Sequence, residues 1–371
     1  MIASDTLIKL FFTTIFLLIV IILLDFFFLK FYRLIKKTNY FFRNNVSIKN
    51  ILFESHPYLP YVLKKKIINN KTSVEYPLNN VRSPFLISNQ YGFFNGKNGN
   101  RNVVSPKPKK LIRINCIGGS TTGNYIEDNN KVYSYPLELE KFLMKKYPKK
   151  KIEVNNFGMG GYNSADILVS SILNQIDTKP DYIIIYHAYN DIRSYLTENF
   201  KSDYSHSRQN FSKNYYKLVI HSLLPNLPIN FYNFLKNYFF IGSDLRFSLH
   251  HMISKGKFNI NNKYDEGLKT FKRNMFNIIN VYKSIGSKII ICKYCFYLHK
   301  KIKDDRLHKV YKKIVIKENL INENLAKKFG VKFINTDQLL KNANKNFLDS
   351  VHFSSEGMHN LAKLIGKQIR I

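Results

Sequence analysis

The stretch that decides the fold is Leu111-Ile112-Arg113-Ile114-Asn115-Cys116-Ile117-Gly118-Gly119-Ser120-Thr121-Thr122-Gly123. Its first seven residues form a short, largely apolar run of strand length, and the glycine pair ends it. The serine and threonines after the glycines suit the first turn of a helix. Apolar runs of similar length recur at 151–155, 181–186, 288–292 and 332–335. Between them the spacing predicts helices over 135–146, with Leu137, Leu139, Phe142 and Leu143 apolar and Pro136 in the first turn. Further helices are expected over 164–176, capped by Ser164, and over 264–285, 307–329 and 355–369. Alternating strands and helices predict an α/β fold: a flavodoxin-like three-layer α/β/α sandwich on a five-stranded parallel sheet, over residues 111–371. Residues 194–262, rich in Tyr, Phe, Asn and Ser, interrupt the rhythm and read as a helical insertion.

Upstream of that domain the chain changes character twice. Residues 38–110 are polar and turn-rich, with Pro57, Pro60, Gly92, Gly96 and Gly99, and 97–110 carries Pro106 and Pro108 like a linker. An extension packed on the main domain, with short strands at most, is expected there. Residues 10–29 form an apolar run broken only by Asp25. As a helix the run would reach about 30 Å, the thickness of a bilayer's hydrocarbon core. No small-residue cleavage site follows it, so the expectation is an uncleaved transmembrane anchor. Lys30, Arg33, Lys36 and Lys37 follow the span and only Lys9 precedes it, which read literally places the body in the cytoplasm. In a chain with Lys throughout, that count discriminates poorly, and both sides stay open.

The 371 residues carry 58 Lys+Arg against 25 Asp+Glu, a net charge of +33. The excess is diffuse and mostly Lys, and none of the nucleic-acid recognition motifs is present, so no nucleic-acid partner is expected. With 45% hydrophobic residues the chain can bury a full core, and three cysteines exclude a disulfide scaffold.

Ligands of parallel α/β sheets bind beyond the carboxyl ends of the strands. The first strand ends at Ser120, placed at a helix start where free N–H groups favour a developing anion. No Lys follows the second glycine, so this is not a Walker loop. The second strand ends in Asn155-Asn156-Phe157-Gly158-Met159-Gly160-Gly161, a backbone that a ligand can approach closely. The third ends in His187-Ala188-Tyr189-Asn190-Asp191, and the fifth is followed by Asp349-Ser350-Val351-His352. In Asp-x-x-His the carboxylate can accept from Nδ1–H and leave Nε2 to act as a base. Taken singly each block is a turn or a cap. Together, in this order, they supply a nucleophile, oxyanion donors, a base and its orienter.

These four blocks resemble the markers of the SGNH (GDSL-type) hydrolases, in family order, over residues 111–371. The resemblance implies Ser120 as nucleophile, with Asp349 and His352 completing the catalytic triad. It implies an oxyanion hole of the Ser120 and Gly161 N–H groups and the Asn190 side-chain amide. Two positions depart from the family pattern: Gly118 precedes Gly119-Ser120, and Ala188 replaces the glycine of Gly-x-Asn-Asp. The anchor, His56-Pro57-Tyr58 and Asn89-Gln90-Tyr91-Gly92 resemble membrane-tethered bacterial members. The implied activity is a membrane-anchored serine esterase removing short acyl groups, such as acetyl, from a carbohydrate or cell-envelope polymer. An O-acyltransferase on the same scaffold is the alternative, since water and alcohol attack the same acyl-enzyme; a silent binding protein of the same fold is the third. No cofactor and no metal are called for.

Other residues read as structural. Cys292 and Cys295 lack a second cysteine pair and are expected in the core, their spacing in a strand pointing them to opposite faces. His206, His250 and His251 have no carboxylate cluster. His359 belongs to a helix face, His187 to a strand end satisfied by backbone, Asp191 to a loop tether, and Asp166 to a helix's first turn.

Overall fold

The structure is a computed structural model that describes residues 2–36, 53–66, 68–69, 84, 86–210, 254–298 and 305–371. Most of the expected insertion (211–253, with His250 and His251) lies outside the described residues. The chain divides into two compact units, one of 1–51 with 211–253 and one of 52–210 with 254–371. In the first, helix α1 (Ile2–Lys36) contains Asp5–Phe27, a stretch long and apolar enough to cross a membrane. A signal sequence passes the same test of length and composition.

The second unit is built on five parallel strands, β1 (Leu111–Gly118), β2 (Lys151–Gly158), β3 (Tyr182–Tyr186), β4 (Lys288–Cys292) and β5 (Lys332–Ile334). Their spatial order is β2-β1-β3-β4-β5, with every pairing parallel. That is the flavodoxin-like order, and it puts the topological switch between β1 and β3. Every residue of β3 is buried, because helices cover both faces of the sheet; the run therefore shows no alternation. On one face α2 (Tyr135–Lys146) packs against α6 (Ser355–Gln368). On the other, α3 (Ser164–Ser170), α4 (Asp265–Ser284) and α5 (Asp305–Phe329) form the second layer.

Local chemistry sets the ends of these helices. Ser134 caps α2 by accepting from the Leu137 N–H, with Pro136 in the first turn. The cap of α3 is Asn163 rather than Ser164: Asn163 and Asp166 form a reciprocal capping box. The Ser164 hydroxyl is drawn instead to the Asp191 carboxylate, 2.5 Å away. After Ser170 the helix loosens into a π turn and a 3-10 turn, and Lys179, with φ at 49°, stops it.

The described parts of the extension pair as two-residue strands, Phe53–Glu54 with Val62–Leu63 and Ile68–Asn69 with Leu86–Ile87, and as a single bridge between Asn95 and Asn100. Polar contacts hold the extension to the sheet. Across β1 and β2, Arg113 faces Glu153 at 2.9 Å and Asn115 faces Asn155 at 3.0 Å. Asn95 reaches Asn155 at 2.6 Å, and Arg101 grips both Glu140 oxygens. Arg113 is fully buried, so its charge is tolerable only because Glu153 and two backbone carbonyls surround it.

Candidate active site

Three loops at the carboxyl ends of β1, β2 and β3, joined by the segment before α6, bring the expected residues to the switch point. Ser120 opens the short helical turn Ser120–Gly123 directly after β1. Its Oγ lies 2.9 Å from His352 Nε2, and His352 Nδ1 lies 2.7 Å from Asp349 Oδ2. The other Asp349 oxygen accepts the N–H groups of Val351 and His352 at 2.8 and 2.7 Å. One carboxylate thus folds the Asp-x-x-His turn and orients the ring it contains. Burial pushes the Asp349 carboxyl up, but the His352 charge and these hydrogen bonds outweigh burial and leave it below the usual carboxylate range.

Asn190 stands between the loops that follow β1 and β2. Its Nδ2 donates to the Tyr162 carbonyl at 2.8 Å. A Cβ on Gly119 would come within 2.4 Å of that nitrogen, so only glycine lets the amide sit beside Ser120. Gly161 has φ at 76°, a left-handed conformation that turns the β2 loop back toward Ser120. Three consecutive carbonyls of that loop each receive a side-chain donor: Gly160 from the Tyr61 hydroxyl, Gly161 from Arg208 Nη2 at 2.9 Å, and Tyr162 from Asn190.

Behind the loops lies a buried polar network. Asp191 accepts from the Ser164 N–H and hydroxyl, from the Tyr204 hydroxyl at 2.7 Å and from His187 Nε2 at 2.8 Å. It ties the loop after β3 to α3, which is the tether expected of it. His187, expected to be satisfied by backbone, is instead held by this carboxylate. Ala188 is buried, and its carbonyl accepts the Asn190 N–H at 2.9 Å around Tyr189, whose φ is 76°. Glu318 on α5 holds this tight turn: its carboxyl accepts the Tyr189 N–H at 3.1 Å and meets the Tyr195 hydroxyl at 2.9 Å. Burial and then the Asp191 charge push Glu318 up to about 8, against the opposing hydrogen bonds. Asn319 and Asn322 on the same helix bond to the backbone of Tyr294 and His187.

The sequence reading did not find Glu318, Tyr61 or Arg208. For Glu318 a signal existed, since Glu318, Asn319 and Asn322 fall on the stripe that Val310, Ile314, Val315 and Leu325 make apolar. Cys295 lies beyond the end of β4, so the two-face argument does not apply to it; it and Cys292 are buried, and Cys295 meets Thr336 at 3.1 Å. His206 contacts the Ser194 carbonyl and the Lys201 N–H, and His359 contacts Glu138 at 3.2 Å. Asp166 pairs with Arg208 besides capping α3.

Past His352, Ser355 donates to Asp128 and edges a groove of about 730 Å³. Lys97, Lys131, Tyr133, Glu356 and His359 also line it.

No family model and no curated protein matches the chain. Among solved structures it is similar to Axe2, an acetylxylan esterase from Geobacillus stearothermophilus, at 16% identity over 70% of this chain and 94% of that one, with a TM-score of 0.41. It is also similar to the lipase/acylhydrolase from Enterococcus faecalis, at 17% identity over 70% and 95% of the two chains, with a TM-score of 0.40. At that distance the reading of the site rests on its own geometry.

Proposed function

We propose that this chain is a serine esterase of the SGNH type, held at a membrane by α1, that removes short acyl groups such as acetyl from a carbohydrate. The observation that carries the reading is the unbroken relay from Ser120 Oγ through His352 to Asp349, at 2.9 and 2.7 Å. In the reaction Ser120 Oγ attacks the ester carbonyl while His352 Nε2 takes its proton. The oxyanion is received by the Ser120 and Gly161 N–H groups and the Asn190 amide. His352 then gives the proton to the departing alkoxide as the C–O bond breaks, leaving an acyl-enzyme. Water, deprotonated by the same nitrogen, releases the acid and restores Ser120. Asp349 stays ionised throughout and steadies the imidazolium, as its lowered carboxyl favours.

The groove edged by Ser355, three residues along the chain from His352, sets Lys131, Glu356 and His359 beside the Tyr133 ring, and hydroxyl-bonding groups next to an aromatic face suit a sugar chain. The test is hydrolysis of p-nitrophenyl acetate, butyrate and octanoate by the full chain in detergent micelles. Turnover should be fastest with acetate and absent in Ser120→Ala. Equal turnover by wild type and Ser120→Ala would contradict the reading, and a preference for octanoate would contradict the short-acyl part alone.

A further inference from the structure

The Tyr61 hydroxyl donates to the carbonyl of Gly160, ninety-nine residues away in the chain. That carbonyl belongs to the same peptide unit as the Gly161 N–H. A trans peptide is planar, and its C=O and N–H bonds point in opposite directions. A donor fixed on the carbonyl side therefore fixes the direction of the N–H, and polarises it further. The peptide borders the nucleophile, since a Cβ on Gly160 would stand 3.9 Å from Ser120 Cβ. From these contacts we infer that Tyr61 is a positioning residue of the oxyanion hole, and that the segment preceding the α/β domain completes the catalytic site. The inference rests on the esterase reading, in which the Gly161 N–H receives the oxyanion.

Tyr61 is itself held rigidly. It is fully buried, with its ring edge-on to Phe53 at 4.9 Å and to Tyr162 at 5.5 Å. The Tyr162 hydroxyl donates to the Tyr61 carbonyl at 2.6 Å, so each segment gives a tyrosine hydroxyl to a backbone carbonyl of the other. The extension carrying Tyr61 is pinned to β2 and α2 by Asn95 and Arg101. Gly160-Gly161, two glycines in succession with Gly161 in the left-handed region, has little rigidity of its own. The external donors on its carbonyls give it one orientation.

The experiment compares Tyr61→Phe, Phe53→Leu and Ser120→Ala with wild type in the full chain, by kcat and KM for p-nitrophenyl acetate and by thermal midpoint. Tyr61→Phe keeps the ring and removes only the donor; it should lower kcat by about ten- to a hundredfold with KM nearly unchanged. Phe53→Leu loosens the packing around Tyr61 but keeps its hydroxyl; it should lower the midpoint and cost kcat far less than Tyr61→Phe does. Wild-type kcat in Tyr61→Phe would overturn the inference. So would equal losses of kcat in Tyr61→Phe and Phe53→Leu, because the effect would then be one of packing. Full turnover by Ser120→Ala would instead remove the esterase reading, and the role of Tyr61 with it.

Discussion

The Asn190 side-chain amide donates one N–H to the Tyr162 carbonyl at 2.8 Å, which anchors the amide to the loop that carries Gly161. The anchor fixes the plane of the amide, so its second N–H has a set direction. An oxyanion donor is effective to the extent that it is in place before charge develops.

Replacing Asn190 by Ala removes that donor and should lower kcat by about a hundred- to a thousandfold, with residual turnover from the remaining N–H groups. Steady-state kinetics on the variant checks this, and a wild-type rate would take Asn190 out of the site.

Gly119→Ala tests the same group indirectly. The added methyl would fall 2.4 Å from Asn190 Nδ2, so the amide must move. The expected outcome is a kcat about ten- to a hundredfold lower, in a protein whose far-ultraviolet circular dichroism is unchanged. An undiminished kcat would mean that the loop absorbs the methyl without losing the donor.

Asp349→Asn keeps the shape of the turn but cannot hold the imidazole as a carboxylate does. An amide that donates to Nδ1 selects the tautomer with its proton on Nε2, which cannot accept from Ser120. The expected loss in kcat is about ten-thousandfold. A loss below tenfold would show that the carboxylate does not govern His352.

Glu318 predicts a pH dependence of stability. Its carboxyl moves from a reference value of 4.5 to about 8 in the fold, so between those values the native state keeps a proton that the unfolded state releases. Stability contributed by the neutral carboxyl is therefore full below about 4.5 and is lost as pH rises toward about 8, by up to about 1.4 kcal/mol per pH unit. Denaturant midpoints of wild type and Glu318→Gln, taken from pH 5 to 9, should diverge across that window, with the Gln variant the flatter. Parallel curves would show that Glu318 is not the group titrating there.

The sheet was most legible where strands covered on both faces read as apolar runs, as in Tyr182–Tyr186 and Lys288–Cys292, and less so in β1 and β2, which carry Arg113, Asn115, Glu153 and Asn155. The candidate site was legible because its residues sit where strands stop, at glycine turns and at Asp-x-x-His, where spacing along the chain carries the geometry. The contacts that orient the site are of another kind. Tyr61 reaches Gly160 over 99 residues and Glu318 reaches Tyr189 over 129, and no local pattern encodes a pairing at such separations. The cap of α3 was misassigned for a related reason. Asn163 and Ser164 are both competent caps, and what decides between them is Asp191, distant in sequence, which takes the Ser164 hydroxyl.

The most direct measurement is the site of covalent labelling by a fluorophosphonate, read by peptide mass spectrometry on the full chain and on His352→Ala. If Ser120 is a nucleophile activated by His352, the adduct falls on the peptide containing Ser120 and is formed far more slowly in His352→Ala. An adduct on another serine, or labelling of Ser120 at the same rate without His352, would contradict it.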